Sequence, residues 1–149
     1  MEDPKITWYA KLNKESQYEE TNDYYAGSYT PGHPIDVDIQ IWNNRFGLED
    51  VANLADFYIV ISFEHVEDSA LFDYCTIVLD DANIIPLKKS GKKAILELPD
   101  TVVLSGTKND GTLDSNKDHY VNIEFQFDAE GSKLKENDLK DMYFQIIQK

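Results

Sequence analysis

The residues best suited to chemistry lie in Asn109-Asp-Gly-Thr-Leu-Asp-Ser-Asn-Lys-Asp118. Asp110, Asp114, Asn116 and Asp118 are hard oxygen donors, and calcium takes about six to eight such oxygens. The spacing Asp114-x-Asn116-x-Asp118 copies the first half of a helix-loop-helix calcium site. The second half departs from it. His119 stands where that site needs glycine, and Phe125 stands where it needs a bidentate glutamate. Asx side chains also cap turns without any metal. The loop is thus a candidate calcium site, with turn capping as the competing reading. Asp80, Asp81 and Asn83 form a smaller cluster of the same kind.

Other chemistries find less support. His33, His65 and His119 are far apart and show no zinc-ligand spacing. The chain has no G-x-S-x-G elbow, no G-x-G-x-x-G and no P-loop. Ser90-Gly-Lys-Lys93 lacks the first glycine and the Ser/Thr of the last of these. Glu97 and Glu124 sit on expected strands and could form a glycosidase pair. Among 28 acidic residues such a pair arises by chance. Cys75 shares a parity with Ile77 and Leu79 and reads as an inert buried thiol among carboxylates, not as a nucleophile. The expectation is a chain that is not an enzyme.

Aromatic residues on the polar side of strands are the better candidates for function. Tyr9, Trp42 and Tyr120 hold such positions. With Tyr24, Tyr25 and Tyr29 they could line a surface for stacking sugars or binding protein. Cross-strand aromatic pairing, or cover by a tyrosine-rich loop, is the competing reading.

Charge narrows the partners. Asp and Glu number 28 against 14 Lys and Arg, a formal net charge of −14, and Arg45 is the one arginine. Nucleic-acid binding needs cations to displace phosphate counterions. An anionic leaflet repels an acidic surface. Neither nucleic acid nor membrane is therefore an expected partner. Solubility alone accounts for the charge. Sharper readings are a divalent cation, a basic protein partner, or a DNA-mimicking inhibitor. The start Met-Glu-Asp-Pro-Lys has no basic n-region and no apolar h-region. Synthesis in the cytoplasm without a signal peptide is expected, and later association with a virion is compatible with it.

The positioning elements follow from period-two alternation. Ile35-Asp-Val-Asp-Ile-Gln-Ile41 puts its four aliphatic residues on one side and its polar residues on the other. His119 to Phe127 repeats this with Val121, Ile123, Phe125 and Phe127, and Phe57 to Phe63 repeats it again. Further strands are expected at Ile6–Leu12, Phe72–Leu79, Ala94–Leu98, Thr101–Leu104 and Met142–Ile147, with an edge piece from Ile84 to Leu87 ahead of a basic turn at Lys88–Lys93. Residues 13–34 read as a long polar, tyrosine-rich loop, and Leu48, Val51, Ala52 and Ala55 fall at the spacing of one or two short helical turns. A further helical turn is expected between Glu64 and Leu71. About eight strands in 149 residues, without helical crossovers, describe an all-β single domain. The expected fold is an antiparallel β-sandwich of immunoglobulin-like or jelly-roll topology spanning residues 1–149.

Ile39-Gln-Ile-Trp-Asn-Asn-Arg-Phe-Gly47, Leu104-Ser-Gly-Thr-Lys-Asn-Asp-Gly-Thr112 and Leu134-Lys-Glu-Asn-Asp-Leu-Lys140 resemble pieces of small β-sandwich proteins of phage tails and baseplates. The resemblance spans about a third of the chain and implies a non-enzymatic virion part that contacts neighbouring subunits or a host surface. The expected function is a non-catalytic interaction or structural module of a larger assembly, binding a protein partner or a second copy. A carbohydrate-binding module, with or without calcium support, is the alternative from another class.

Overall fold

The computed structural model describes residues 2–12, 17–27, 35–55, 57–63, 75–79, 83–84, 88–90, 93–98, 101–127 and 142–148. They form eleven strands and no helix: β1 (Ile6–Leu12), β2 (Glu19–Thr21), β3 (Tyr24–Gly27), β4 (Ile35–Asn43), β5 (Phe57–Phe63), β6 (Cys75–Leu79), β7 (Asn83–Ile84), β8 (Lys88–Ser90), β9 (Lys93–Glu97), β10 (Tyr120–Phe127) and β11 (Met142–Gln148). One sheet has the order β2-β1-β4-β10-β6-β7, the other β3-β11-β5-β9-β8. Every named pairing is antiparallel. The chain is an all-β antiparallel sandwich, as the alternation predicts.

The core lies between the sheets because alternation leaves each strand one dry face. Val37, Ile39 and Ile41 of β4 and Val121, Ile123, Phe125 and Phe127 of β10 supply one inner face. Ile59 and Ile61 of β5, Leu96 of β9, and Met142 and Phe144 of β11 supply the other. Phe125 and Phe144 meet across the gap edge to face, their ring centroids 5.1 Å apart. Full burial of one such side chain is worth about 1.5–3 kcal/mol, so this layer holds the sheets together.

Four expectations change. Residues 13–34 are not wholly loop, since β2 and β3 lie within them. Only Asn22 and Asp23 separate the two strands, yet β2 joins the edge of one sheet and β3 the edge of the other. The expected basic turn contains β8, whose backbone pairs with β9. Thr101–Leu104 is no strand but a single bridge, Leu54 to Leu104. The residues at helical spacing form no helix. Amide groups of this segment reach other segments in place of their own turn: Val51 N–H to Gly106 O at 2.8 Å, Ala52 N–H to Glu2 O at 2.8 Å and Leu54 N–H to Leu104 O at 2.9 Å. Val51 and Leu54 are buried while Leu48 is 90% exposed, which no single helical face would give. The connection 64–71 lies outside the described residues.

Candidate functional site

Three of the six sequence-selected aromatics, Tyr9, Trp42 and Tyr120, assemble at one end of the six-stranded sheet. Register places Thr7, Trp42 and Tyr120 in one row across β1, β4 and β10, and Tyr9, Gln40 and Asn122 in the next. The Trp42 and Tyr120 rings lie 4.6 Å apart at 31°. The Arg45 guanidinium carbon sits 4.4 Å from the Trp42 ring centre, 4.9 Å from that of Tyr9 and 4.9 Å from that of Phe46. Arg45 Nε donates to Gly111 O at 3.1 Å. The chain's one arginine is thus clamped among three rings, a contact its weakly hydrated plane favours.

This corrects the reading of Trp42 as an exposed anchor. None of its surface is accessible. Arg45 lies over its ring and its indole N–H is spent on Gln40 Oε1 at 2.8 Å. Tyr9 and Tyr120 are half-buried, and the Tyr120 hydroxyl donates to Leu113 O at 3.2 Å. Tyr24 and Tyr25 belong to β3, at the edge of the other sheet. Tyr24 packs against the core, and Tyr25, half exposed, stacks on Tyr143 with ring centres 5.2 Å apart. They share no surface with the Arg45 cluster. Tyr29 lies outside the described residues.

Behind Arg45 stands a set of buried asparagines that the sequence pattern does not single out. Asn43 is wholly buried; its Nδ2 donates to Ala52 O at 2.9 Å and Leu104 O at 3.0 Å, and its Oδ1 accepts from Lys5 N at 3.0 Å. Asn44, at φ 57, donates from Nδ2 to Glu49 O at 2.8 Å and Gly106 O at 2.9 Å. Asn109 Nδ2 donates to Asn44 O at 2.8 Å, while its Oδ1 accepts from Phe46 N at 3.2 Å and Gly111 N at 3.0 Å. Three asparagines therefore tie the 43–54 segment to the 102–119 loop. The fit admits no spare atoms: a Cβ on Gly106 would strike the carbonyls of Val51 and Ala52, and one on Gly111, at φ 75, would strike the Phe46 ring.

The expected metal loop spends its donors on itself. Asp110 Oδ1 accepts from Thr112 N at 3.1 Å, Thr112 Oγ1 at 2.8 Å and Asn116 Nδ2 at 2.7 Å. Those bonds, led by Asn116, hold the Asp110 carboxyl below its ordinary range. Asp114 and Asp118 are exposed. Of the four residues the structure brings together only Asp110 and Asn116. Among the described residues no three acidic, histidine or cysteine side chains gather as metal ligands.

Two further groups were singled out by type. Thr107 Oγ1 lies 2.8 Å from His119 Nε2, and Asp118 Oδ1 lies 2.9 Å from His119 Nδ1. The order hydroxyl, imidazole, carboxylate has the look of a nucleophile relay. The second contact, however, lacks the alignment of a hydrogen bond, so the carboxylate does not orient the ring as a general base requires. The buried His119 instead serves the loop, its carbonyl accepting from Asn43 N at 3.0 Å. Burial pushes the Cys75 thiol up, which keeps it protonated and unreactive.

No protein-family model matches this chain, and no curated protein does. Among solved structures it is similar to the major pilin SpaA of Corynebacterium diphtheriae, at 13% identity and a TM-score of 0.34. The match covers 86% of this chain and 28% of the pilin. A likeness of that size carries no functional inference.

Proposed function

We propose that this chain is a non-catalytic protein-interaction module that docks into a larger assembly through the end of the sandwich bearing Arg45 and Phe46. A virion tail or baseplate, the setting implied by the sequence resemblance, is the kind of assembly meant. Phe46 carries the reading. A bulky side chain at positive φ is an outlier that costs about 1–3 kcal/mol. Phe46 is held at φ 62 and is nevertheless 59% exposed. Such strain persists where the surroundings over-determine it, as Asn44, Asn109 and Gly111 do here. Leu48 projects beside it, 90% exposed.

A rigid aromatic projecting from a fixed turn loses little entropy when it enters a partner's pocket, which is the property of an interface hot spot. Glu49 and Asp50 flank it and are exposed, so the pocket that fits has a basic rim. The test is affinity for neighbouring subunits recovered from the native particle. Phe46→Ala is expected to weaken binding by about thirtyfold or more, the size of a hot-spot loss. Undiminished binding by Phe46→Ala and by Leu48→Ser would reject this end as the interface.

A further inference from the structure

Asp110-Gly111 is the one Asp-Gly pair in the chain. In this pair an aspartate rearranges most readily. The amide nitrogen that follows it attacks the side-chain carboxyl carbon, and glycine has no Cβ to hinder the approach. The nitrogen loses its proton, the Cγ–N bond forms, and the carboxyl hydroxyl leaves as water. A five-membered succinimide results. Water then adds to one of its two carbonyls and breaks that carbon's bond to nitrogen. Opening at the former main-chain carbonyl leaves the backbone running through Cβ and Cγ, as isoaspartate. The water lost in closure is regained in opening, and nothing is oxidised or reduced.

The folded loop sets both reacting groups against this step. The Gly111 N–H, whose proton must leave, donates to Asn109 Oδ1 at 3.0 Å. The Asp110 carboxyl is engaged elsewhere, its Oδ1 taking hydrogen bonds from Thr112 N, Thr112 Oγ1 and Asn116 Nδ2. Ring closure needs Cγ at bonding distance from the nitrogen, and drawing it there turns the oxygen out of those bonds. Gly111 is not free to move to meet it. It is buried at φ 75 against the Phe46 ring, and its carbonyl accepts from Arg45 Nε at 3.1 Å. Asp110 is itself exposed, so the water that opens a succinimide has access.

We infer that Asp110 is a site of spontaneous backbone isomerisation, held in check by Asn109, Thr112 and Asn116, and that its slow conversion releases Arg45. The product puts one more carbon into the main chain ahead of Gly111. Gly111 then loses the position that keeps its N–H on Asn109 and its carbonyl on Arg45 Nε together. Damage spreads from there, because the same Asn109 side chain holds Asn44 O and Phe46 N. Turn capping alone also accounts for the bonds on Asp110. It predicts no dependence of ageing on Asn109 or Thr112, so the two readings part on a measurable rate. Asp114-Ser115, exposed in the same loop, is the internal comparison. No partner is needed for the chemistry, so it stands apart from the docking reading.

The test ages the full chain and a synthetic peptide of residues 107–117 side by side in neutral buffer. Isoaspartate is measured by enzymatic methylation of its free carboxyl and located by electron-transfer fragmentation. Conversion at Asp110 is expected in both, about tenfold or more slowly in the folded chain, the factor that one or two ordinary hydrogen bonds supply. This comparison needs no variant. Asn109→Ala should remove most of the protection, and Thr112→Val, a milder change at an exposed position, should speed conversion about threefold. The rate at Asp114 should stay unchanged in both variants, which separates a local effect from general unfolding. In chain already converted at Asp110, the Arg45 Nε–H signal in NMR should shift. Equal ageing of chain and peptide, absence of isoaspartate at Asp110 from the folded chain and both variants, variant rates equal to the parent's, or an Arg45 signal unmoved by conversion would overturn it.

Discussion

The latched end and the outer face of the six-stranded sheet both use amides, but in opposite ways. At the end, Asn43 and Asn44 are buried and give their hydrogen bonds to backbone groups of distant segments. On that outer face, the buried Gln40 amide is anchored to an indole and donates to the exposed Asn122 of the next strand at 2.9 Å. Buried amides satisfied by backbone set stability, because removing one orphans its partners. An amide bonded to the amide of a neighbouring strand sets local direction, and losing that one bond costs only about 0.5–1.5 kcal/mol. The same side-chain chemistry thus ties distant segments together in one place and links neighbouring strands in the other.

That contrast is most exposed to attack at Asn43. Asn43→Ala should cost about 3 kcal/mol, since two carbonyls and one amide lose their partner in a buried place. Chemical denaturation measures it, and a loss under ~1 kcal/mol would mean the latch is not structural. Trp42→Phe should cost about 1–3 kcal/mol by leaving Gln40 Oε1 without its donor. It should also broaden the Asn122 side-chain NMR signals, because the steering is gone. Sharp, unshifted signals would show that Asn122 is oriented by something else.

Smaller effects sharpen the picture. Phe46→Gly relieves the positive φ and forfeits the Arg45 contact, so stability should stay within about 1 kcal/mol while docking fails. A large destabilisation would make Phe46 part of the latch. Least of all is the pH response of the 110–116 loop. Asp110 is depressed from 3.8 by its hydrogen bonds, so they contribute above the ordinary carboxylate range. The contribution is lost as pH falls through the depressed value. Thr112 amide exchange should rise in that window and be insensitive to it in Asp110→Asn.

Much of the fold was legible. β1, β4, β5, β10 and β11 follow apolar alternation, and burial against the second sheet enforces it. The short edge strands were not. Glu19–Thr21 and Lys88–Ser90 carry no alternating apolar set, and backbone pairing with a long neighbour defines them. The spacing of Leu48, Val51 and Ala52 imitated a helix because a latch segment also buries some residues and not others.

The candidate site was half legible. Parity correctly grouped Tyr9, Trp42 and Tyr120 on one side of one sheet, and the competing reading of cross-strand pairing describes Trp42 better than exposure does. The asparagine latch left no local mark, since Asn44 reaches Gly106 across 62 positions of chain. Gln40 and Asn122 looked like plain solvent-facing residues until register set them side by side.

The lateral margins of the sandwich carry a consequence for a protein held at high local concentration. Among the described residues the four outermost strands hold three, four, two and three residues, in β2, β3, β7 and β8. An invading chain finds too few backbone donors and acceptors in a row to zip alongside. Short edges of this kind steer crowded copies away from amyloid-like stacking, so assembly falls to side-chain contacts.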